Sequence, residues 1–352
     1  MKTRLLISIF ATMVFTTACK EQNKSEHKDL VIGGGKMPAL ANDSAGNQFI
    51  VFGSGDSILF ASSHDAGHSF STPEVVAVLP QLVASSMRGP QIASTANGLA
   101  VIAVNKQGDI FSFYKADAGP WAQAVKVNDI DTVAKEGLMA LSADGNNAFA
   151  VWLDLRDKHN KIVGAKSTDG GKSWSKNVLV YASPDTTVCE CCKPSVALNG
   201  KNVYVMFRNH LQGNRDLHLI QSVNGGIDFG GAQQLGKENW ALDGCPMDGG
   251  GLVISSNGVP ETVWRRKNTI YACTAGKPET AIGEGKGCTI ESVNNKNVYA
   301  WTQNGEVIIR TPNGTKVNLG KGQLPLLKRV NNEHVLCVWE NDKHIHAEMI
   351  AL

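Results

Sequence analysis

An eight-residue turn motif that returns along the chain restricts the fold more than any other feature. The pattern Ser-x-Asp-x-Gly-x-x-Trp/Phe occurs as Ser63-His-Asp65-Ala-Gly67-His-Ser-Phe70 and as Ser167-Thr-Asp169-Gly-Gly171-Lys-Ser-Trp174. It returns with Asn in the acidic place as Ser222-Val-Asn224-Gly-Gly226-Ile-Asp-Phe229, and a worn copy, Lys115-Ala-Asp117-Ala-Gly119-Pro-Trp121, lies between the first two. Each copy reads as a hairpin turn: the Asp or Asn side chain accepts backbone N–H groups, Gly takes a positive φ, and the aromatic tucks underneath. Copies spaced by one supersecondary unit mark a repeat architecture, because no single unit buries its apolar face alone.

The rest of the chain agrees. Short Val/Ile/Phe/Trp runs alternate with Asn-Gly, Asp-Gly and Gly-Gly signals, and 36 glycines punctuate them, which is an all-β pattern. Seven segments read as starts of innermost strands, at Lys36, Met87, Glu136, Cys191, Cys245, Cys288 and Gln323. A second strand follows each, at 49–52, 99–104, 148–152, 203–207, 262–264, 298–301 and 335–339. The seventh module ends after three strands, so Asp29-Leu-Val-Ile32 is expected to supply its fourth and close the ring, removing the open sheet edges.

On these motifs the chain from residue 36 onward resembles the Asp-box (bacterial neuraminidase repeat) β-propellers of the sialidase superfamily. The resemblance implies a single propeller of four-stranded blades. The module count favours seven blades; six, usual in family sialidases, is the alternative. It implies function only weakly, since one fold hosts many activities.

The N-terminus reads as an export signal. Lys2 and Arg4 precede the apolar stretch Leu5 to Phe15, and Thr16-Thr-Ala18 leads into Cys19, the arrangement of a lipoprotein signal. Residues 1–18 are then a leader, Cys19 carries the lipid, 19–28 form a polar tether, and 29–352 form the propeller. Localisation is expected at the bacterial cell envelope, in the outer membrane, because Lys20 stands where an inner-membrane retention Asp would. Losing Lys2 and Arg4 brings the 34 basic residues level with the 32 acidic ones. That balance argues against a nucleic-acid partner and leaves a monomer whose only membrane contact is its anchor.

In a four-stranded blade the entry to strand 1 and the 2–3 loop share one face, and the 3–4 loop lies on the other. The repeated turns belong to the 3–4 loops, so Asp65, Asp169 and Asn224 are turn formers. The opposite face collects Arg88, Glu136, Cys189, Cys191, Cys192, Cys245, Asp248, Asp154, Arg156, Arg208, Asn209 and Arg265. The sialidase resemblance asks for three arginines on a carboxylate, a Tyr–Glu nucleophile pair and an acid/base Asp. Arg88, Arg208 and Arg265 are the candidate clamp, with Arg156, Asn209 and Asp248 beside it. Glu136 and Asp154 are weak catalytic candidates, and the five tyrosines all sit in strand patterns. The expected ligand is an anionic glycan or small molecule at the channel mouth.

Eight cysteines, one lipidated, leave an odd seven. Cys337 reads as a buried loner, and Cys273 with Cys288 as a candidate pair. Cys189-Glu-Cys191-Cys192 and Cys245 stand at neighbouring strand entries, and three readings stay open for them: inter-blade disulfides, a copper or zinc site with Met37, Met87, Met139 and Met247 nearby, and a redox role. A metal-handling or protein-interaction scaffold centred on these cysteines is therefore the alternative to glycan binding.

Overall fold

The computed structural model describes residues 29–352 apart from residue 118; the leader, Cys19 and the tether lie outside the described residues. The closing strand β1 (Leu30–Gly34) comes first. Blade 1 follows as β2 (Lys36–Asn42), β3 (Gln48–Ser54), β4 (Ser57–Ser63) and β5 (Glu74–Val78). Blade 2 holds β6 (Gln91–Thr95), β7 (Gly98–Val104), β8 (Ile110–Ala116) and β9 (Val125–Lys126). Blade 3 holds β10 (Met139–Asp144), β11 (Asn147–Asp154), β12 (Lys161–Ser167) and β13 (Val178–Tyr181). Blade 4 holds β14 (Ser195–Asn199), β15 (Asn202–Arg208), β16 (Leu217–Ser222) and β17 (Gln233–Gln234). Blade 5 holds β18 (Gly251–Ile254), β19 (Pro260–Arg266), β20 (Thr269–Thr274) and β21 (Thr280–Glu284). Blade 6 holds β22 (Lys286–Val293), β23 (Lys296–Gln303), β24 (Glu306–Arg310) and β25 (Lys316–Lys321). Blade 7 holds β26 (Gln323–Arg329), β27 (His334–Asn341) and β28 (His344–Ala351), completed by β1.

Each blade is an antiparallel meander, and β1 pairs β28 from Leu30 opposite Ala347. The fold is therefore all-β, a seven-bladed propeller closed by its N-terminal strand, as the module count favours. The seven first strands, β2, β6, β10, β14, β18, β22 and β26, meet side by side around a central channel.

Strand alternation explains how the blades stack. In β3, Phe49 and Val51 face blade 2, against Ile92, Leu99 and Val101. The intervening Ile50 and Phe52 face blade 7, against Leu336, Val338 and Ile345. Both faces of the strand are covered, so its apolar residues run without polar interruption. Trp152, Trp301 and Trp339 occupy the equivalent stretch of β11, β23 and β27 and are fully buried.

The repeated turns dock each blade onto its predecessor. Ser167 Oγ donates to Asp169 Oδ1 at 2.7 Å and accepts the Gly171 N–H at 2.8 Å; Asp169 Oδ1 accepts the Ser173 N–H at 3.0 Å. The turns at Asp65 and Asn224 close in the same way. The third glycine shows why the position is fixed: Gly226 has φ +83°, and a Cβ there would lie 2.4 Å from the Phe149 ring of blade 3. In the worn copy no Ser–Asp closure remains, yet Trp121 still packs edge-on against Phe60 of blade 1, with ring centroids 5.3 Å apart.

Cys337 is buried and unpaired, as read from its strand. The Cys273–Cys288 pairing does not form. Cys273 packs into the interface between blades 4 and 5 and Cys288 into that between blades 5 and 6, on opposite faces of blade 5, and both are free thiols.

Candidate functional site at the channel mouth

The first-strand entries carry a recurring backbone device. Met37 (φ 54°), Met87 (φ 70°), Met247 (φ 46°) and Leu324 (φ 53°) are left-handed, at positions where blades 3 and 6 use Gly137 and Gly287. The pairing slips at three of these entries, between Lys36 and Ala39, Lys286 and Thr289, and Gln323 and Leu326. Such a bulge turns the chain from the channel rim into the first strand. The four methionines do not converge. Met37 and Met87 line the channel, Met139 packs with Trp152 between blades 2 and 3, and Met247 is exposed.

Behind the rim lies a cavity of about 240 Å³ to which all seven blades contribute. Its polar wall includes Lys193 of blade 4, Gln91 of blade 2 and Asp248 of blade 5. The Lys193 ammonium donates to Gln91 Oε1 at 2.8 Å, and Gln91 Nε2 is held by the carbonyls of Pro90 and Gly89 at 2.8 and 3.1 Å. Two of its three N–H groups have no partner among the described residues. Burial pushes this ammonium down to about 8. Asp248 is 1% exposed; its Oδ2 accepts Arg265 Nε at 2.6 Å, while its buried Oδ1 has no hydrogen-bond partner among the described residues.

The four arginines do not line that cavity. Arg208, 2% exposed, donates Nη1 to the Arg215 carbonyl at 2.7 Å and Nη2 to the Arg265 carbonyl at 2.9 Å. Arg265 holds Asp248 and donates to the carbonyls of Pro246 and Lys267. Both guanidiniums lie over the Trp240 ring, 5.3 and 5.6 Å from its centroid. Arg88 stands away from them, bonded to Ser86 and Glu136, with the Glu136 carboxylate at 3.6 Å. Arg156 grips Asp154 through Nε at 2.8 Å and Nη2 at 2.9 Å. Asp154 is fully buried and also accepts Trp152 Nε1 at 2.8 Å. Asn209 is fully buried, its Nδ2 donating to the Tyr181 hydroxyl at 2.9 Å. The structure thus brings Arg208, Arg265 and Asp248 together, leaves Arg88, Glu136, Asp154 and Arg156 elsewhere on the ring, and puts no tyrosine on the cavity wall.

The cysteines do converge. Cys191 and Cys245 form a disulfide between blades 4 and 5, with Cα atoms 6.3 Å apart. Cys189 and Cys192 are buried free thiols whose sulfurs lie 3.1 Å apart, and Cys189 Sγ is 3.7 Å from Cys191 Sγ. The Cys192 thiol, with the Arg208 and Arg215 charges, pulls Cys189 down to about 6, while burial pushes Cys192 up.

Sequence reading missed Lys193 and Gln91. The available signal was a charged residue at an innermost strand start, in Cys191-Cys-Lys193-Pro, the segment that enters the channel wall.

No family model matches the sequence, and no curated protein does. Solved structures share the fold. The BP39L lectin of Burkholderia pseudomallei superposes with a TM-score of 0.65 at 10% identity, covering 92% of this chain and 97% of the lectin. An α-L-arabinanase of Penicillium chrysogenum, solved with arabinobiose, gives 0.53 at 11% identity over 92% and 97%. An α-L-arabinofuranosidase of Fusarium graminearum, solved with an iminosugar inhibitor, gives 0.50 at 13% identity over 90% and 93%. At these identities the likeness is one of fold, a β-propeller.

Proposed function

We propose that this protein is a monomeric cell-envelope lipoprotein, held in the outer membrane through Cys19, whose propeller binds a small acidic carbohydrate at its channel mouth. One observation carries the reading: a single cavity is lined both by a cation with unused N–H groups, Lys193, and by the buried carboxylate of Asp248, whose Oδ1 has no partner among the described residues. Unmet polar groups in a buried wall are costly until a ligand satisfies them. A sugar acid fits both, its carboxylate taking the Lys193 N–H groups and a hydroxyl donating to Asp248. Arg265 acts behind the wall, fixing Asp248 Oδ2 and leaving Oδ1 for the ligand's hydroxyl, and Arg208 holds Arg265 through its carbonyl.

The lectin and the arabinobiose-bound arabinanase lend support at the level of fold. The reading is of binding, with no tyrosine on the cavity wall to serve as a sialidase-type nucleophile. An array of acidic and neutral saccharides tests it. Acidic sugars are expected to be retained by the wild-type protein and by Cys337→Ala and lost by Asp248→Asn, with no sugar released from the glycosides. Retention indifferent to Asp248, or confined to neutral sugars, would refute the reading.

A further inference from the structure

The sulfur cluster between blades 4 and 5 stands apart from the cavity and has its own chemistry. Cys189, Cys191 and Cys192 place their sulfurs within 4.8 Å of one another, and the Cys191–Cys245 bond ties the fourth sulfur to the same cluster. A tetrahedral thiolate site with metal–sulfur bonds of 2.3 Å has sulfurs about 3.8 Å apart. The Cys189–Cys191 separation is 3.7 Å. Cys189 and Cys192 also stand at the Cys-x-x-Cys spacing that lets two thiolates of one loop reach a single ion.

The surrounding charge points the same way. Arg208 is buried, yet among the described residues no carboxylate lies within 4.0 Å of its nitrogens, and its Nε has no hydrogen-bond partner. Arg215 donates Nη1 to Cys189 Sγ at 3.4 Å and to Glu190 Oε2 at 3.2 Å, and its buried Nε is unpartnered among the described residues. Arg215 is paired with the Glu190 carboxylate at 3.2 Å, which leaves Arg208 as the buried cation beside the sulfurs without a carboxylate partner, and a buried cation without a nearby anion is expensive. A metal tetrathiolate supplies it: four thiolates around Zn²⁺ carry two net negative charges, and around Cu(I) three.

We propose that Cys189, Cys191, Cys192 and Cys245, when reduced, bind one thiophilic d¹⁰ ion, Zn²⁺ or Cu(I), and that the Cys191–Cys245 disulfide is the oxidised, metal-free form of the same site. The change of state balances. Two equivalents of a small thiol RSH reduce the disulfide to two cysteine thiols and leave as RSSR. As the sulfurs ligate, each cysteine still protonated releases its proton to solvent, so that all four bind as thiolates. In the reverse direction a small disulfide RSSR takes two electrons from the Cys191 and Cys245 thiolates and leaves as two RSH with two protons from solvent; the staple between the blades re-forms, the ion is released, and Cys189 and Cys192 are free to take up protons.

The test uses the protein reduced anaerobically with a phosphine, loaded in separate arms with Zn²⁺ and with Cu(I), and passed over a weak chelator. One ion per chain should remain in at least one arm, and the arm that retains it identifies the metal. Alkylation followed by peptide mass spectrometry should show Cys189, Cys191, Cys192 and Cys245 protected by the ion, while denaturation with chelator exposes all four. Cys192→Ser and Cys245→Ser should each lower retention at least tenfold, with Cys337→Ala unchanged. No retention by the reduced wild-type protein, retention with different cysteines protected, or undiminished retention in both serine variants would overturn the proposal. The protection pattern of the wild-type protein decides the matter even if a serine variant fails to fold.

Discussion

The Lys193 ammonium of blade 4 bonds Gln91 Oε1 of blade 2 at 2.8 Å, passing over the first strand of the blade between them. A propeller channel is where seven strand starts come closest, so one long side chain can reach a blade that is not its neighbour. The bond aims a cation at the cavity and leaves donor capacity unused, which is a ligand's requirement rather than a core's.

Arg208 is a structural residue by its contacts, and its replacement should be read in stability. Arg208→Ala removes two charged hydrogen bonds to carbonyls and the guanidinium packed on Trp240. The expected cost is roughly 3 kcal/mol in urea unfolding, with ligand affinity lost only to the extent that Arg265 and Asp248 shift. A fully stable Arg208→Ala protein that binds nothing would instead return Arg208 to direct ligand contact.

The turn motif predicts an unequal pair of substitutions. Asp169→Ala removes the acceptor of the Ser167 hydroxyl and of the Ser173 N–H and hydroxyl, an expected loss of about 2 kcal/mol. Asp169→Asn should cost less than half as much, because Asn224 closes the equivalent turn of blade 4 through the same oxygen position. Thermal unfolding of the two variants side by side checks the order; equal losses would mean that the charge, not the geometry, matters.

These turns also show how much of the fold was legible. The motif, the second-strand runs and the incomplete last module were enough for blades, count and closure, because β3, β11 or β27 must bury both faces and therefore reads as an unbroken apolar run. The site was less legible for a physical reason. Arg88, Arg156, Arg208 and Arg265 look alike as letters near strand ends, but which of them meets a carbonyl, a carboxylate or open space depends on loops from two blades. The same limit hid Lys193, whose partner lies 102 residues away. The cysteine cluster was visible as a gathering of sulfurs, but not which pair would bond.

Acid stability should carry the mark of Glu279. Its Oε1 accepts Arg266 Nη1 at 2.8 Å and its Oε2 the Lys237 N–H at 2.9 Å, with the Glu238 N–H also directed at Oε1. Against a burial penalty that pushes it up, the bond from Arg266 and these backbone donors hold the carboxyl down to about 2. A carboxylate held lower in the folded than in the unfolded chain stabilises the fold above its ordinary value of about 4.3 and loses that contribution as pH falls toward 2. Glu279→Gln should cost about 3 kcal/mol at neutral pH and flatten the decline between pH 4.5 and 2 in urea titrations. An unchanged decline would assign acid unfolding to other carboxylates.

The central claim, that the channel mouth recognises an acidic sugar through Lys193, is tested most directly by calorimetry with N-acetylneuraminic acid and a neutral hexose on the wild-type protein and on Lys193→Gln. Gln is polar and only one atom shorter than Lys, but carries no charge. The account predicts that the wild-type protein prefers the acid at least tenfold and that Lys193→Gln, still folded, loses the preference. Equal affinity for both sugars in the wild-type protein, or a preference that survives Lys193→Gln, would contradict it.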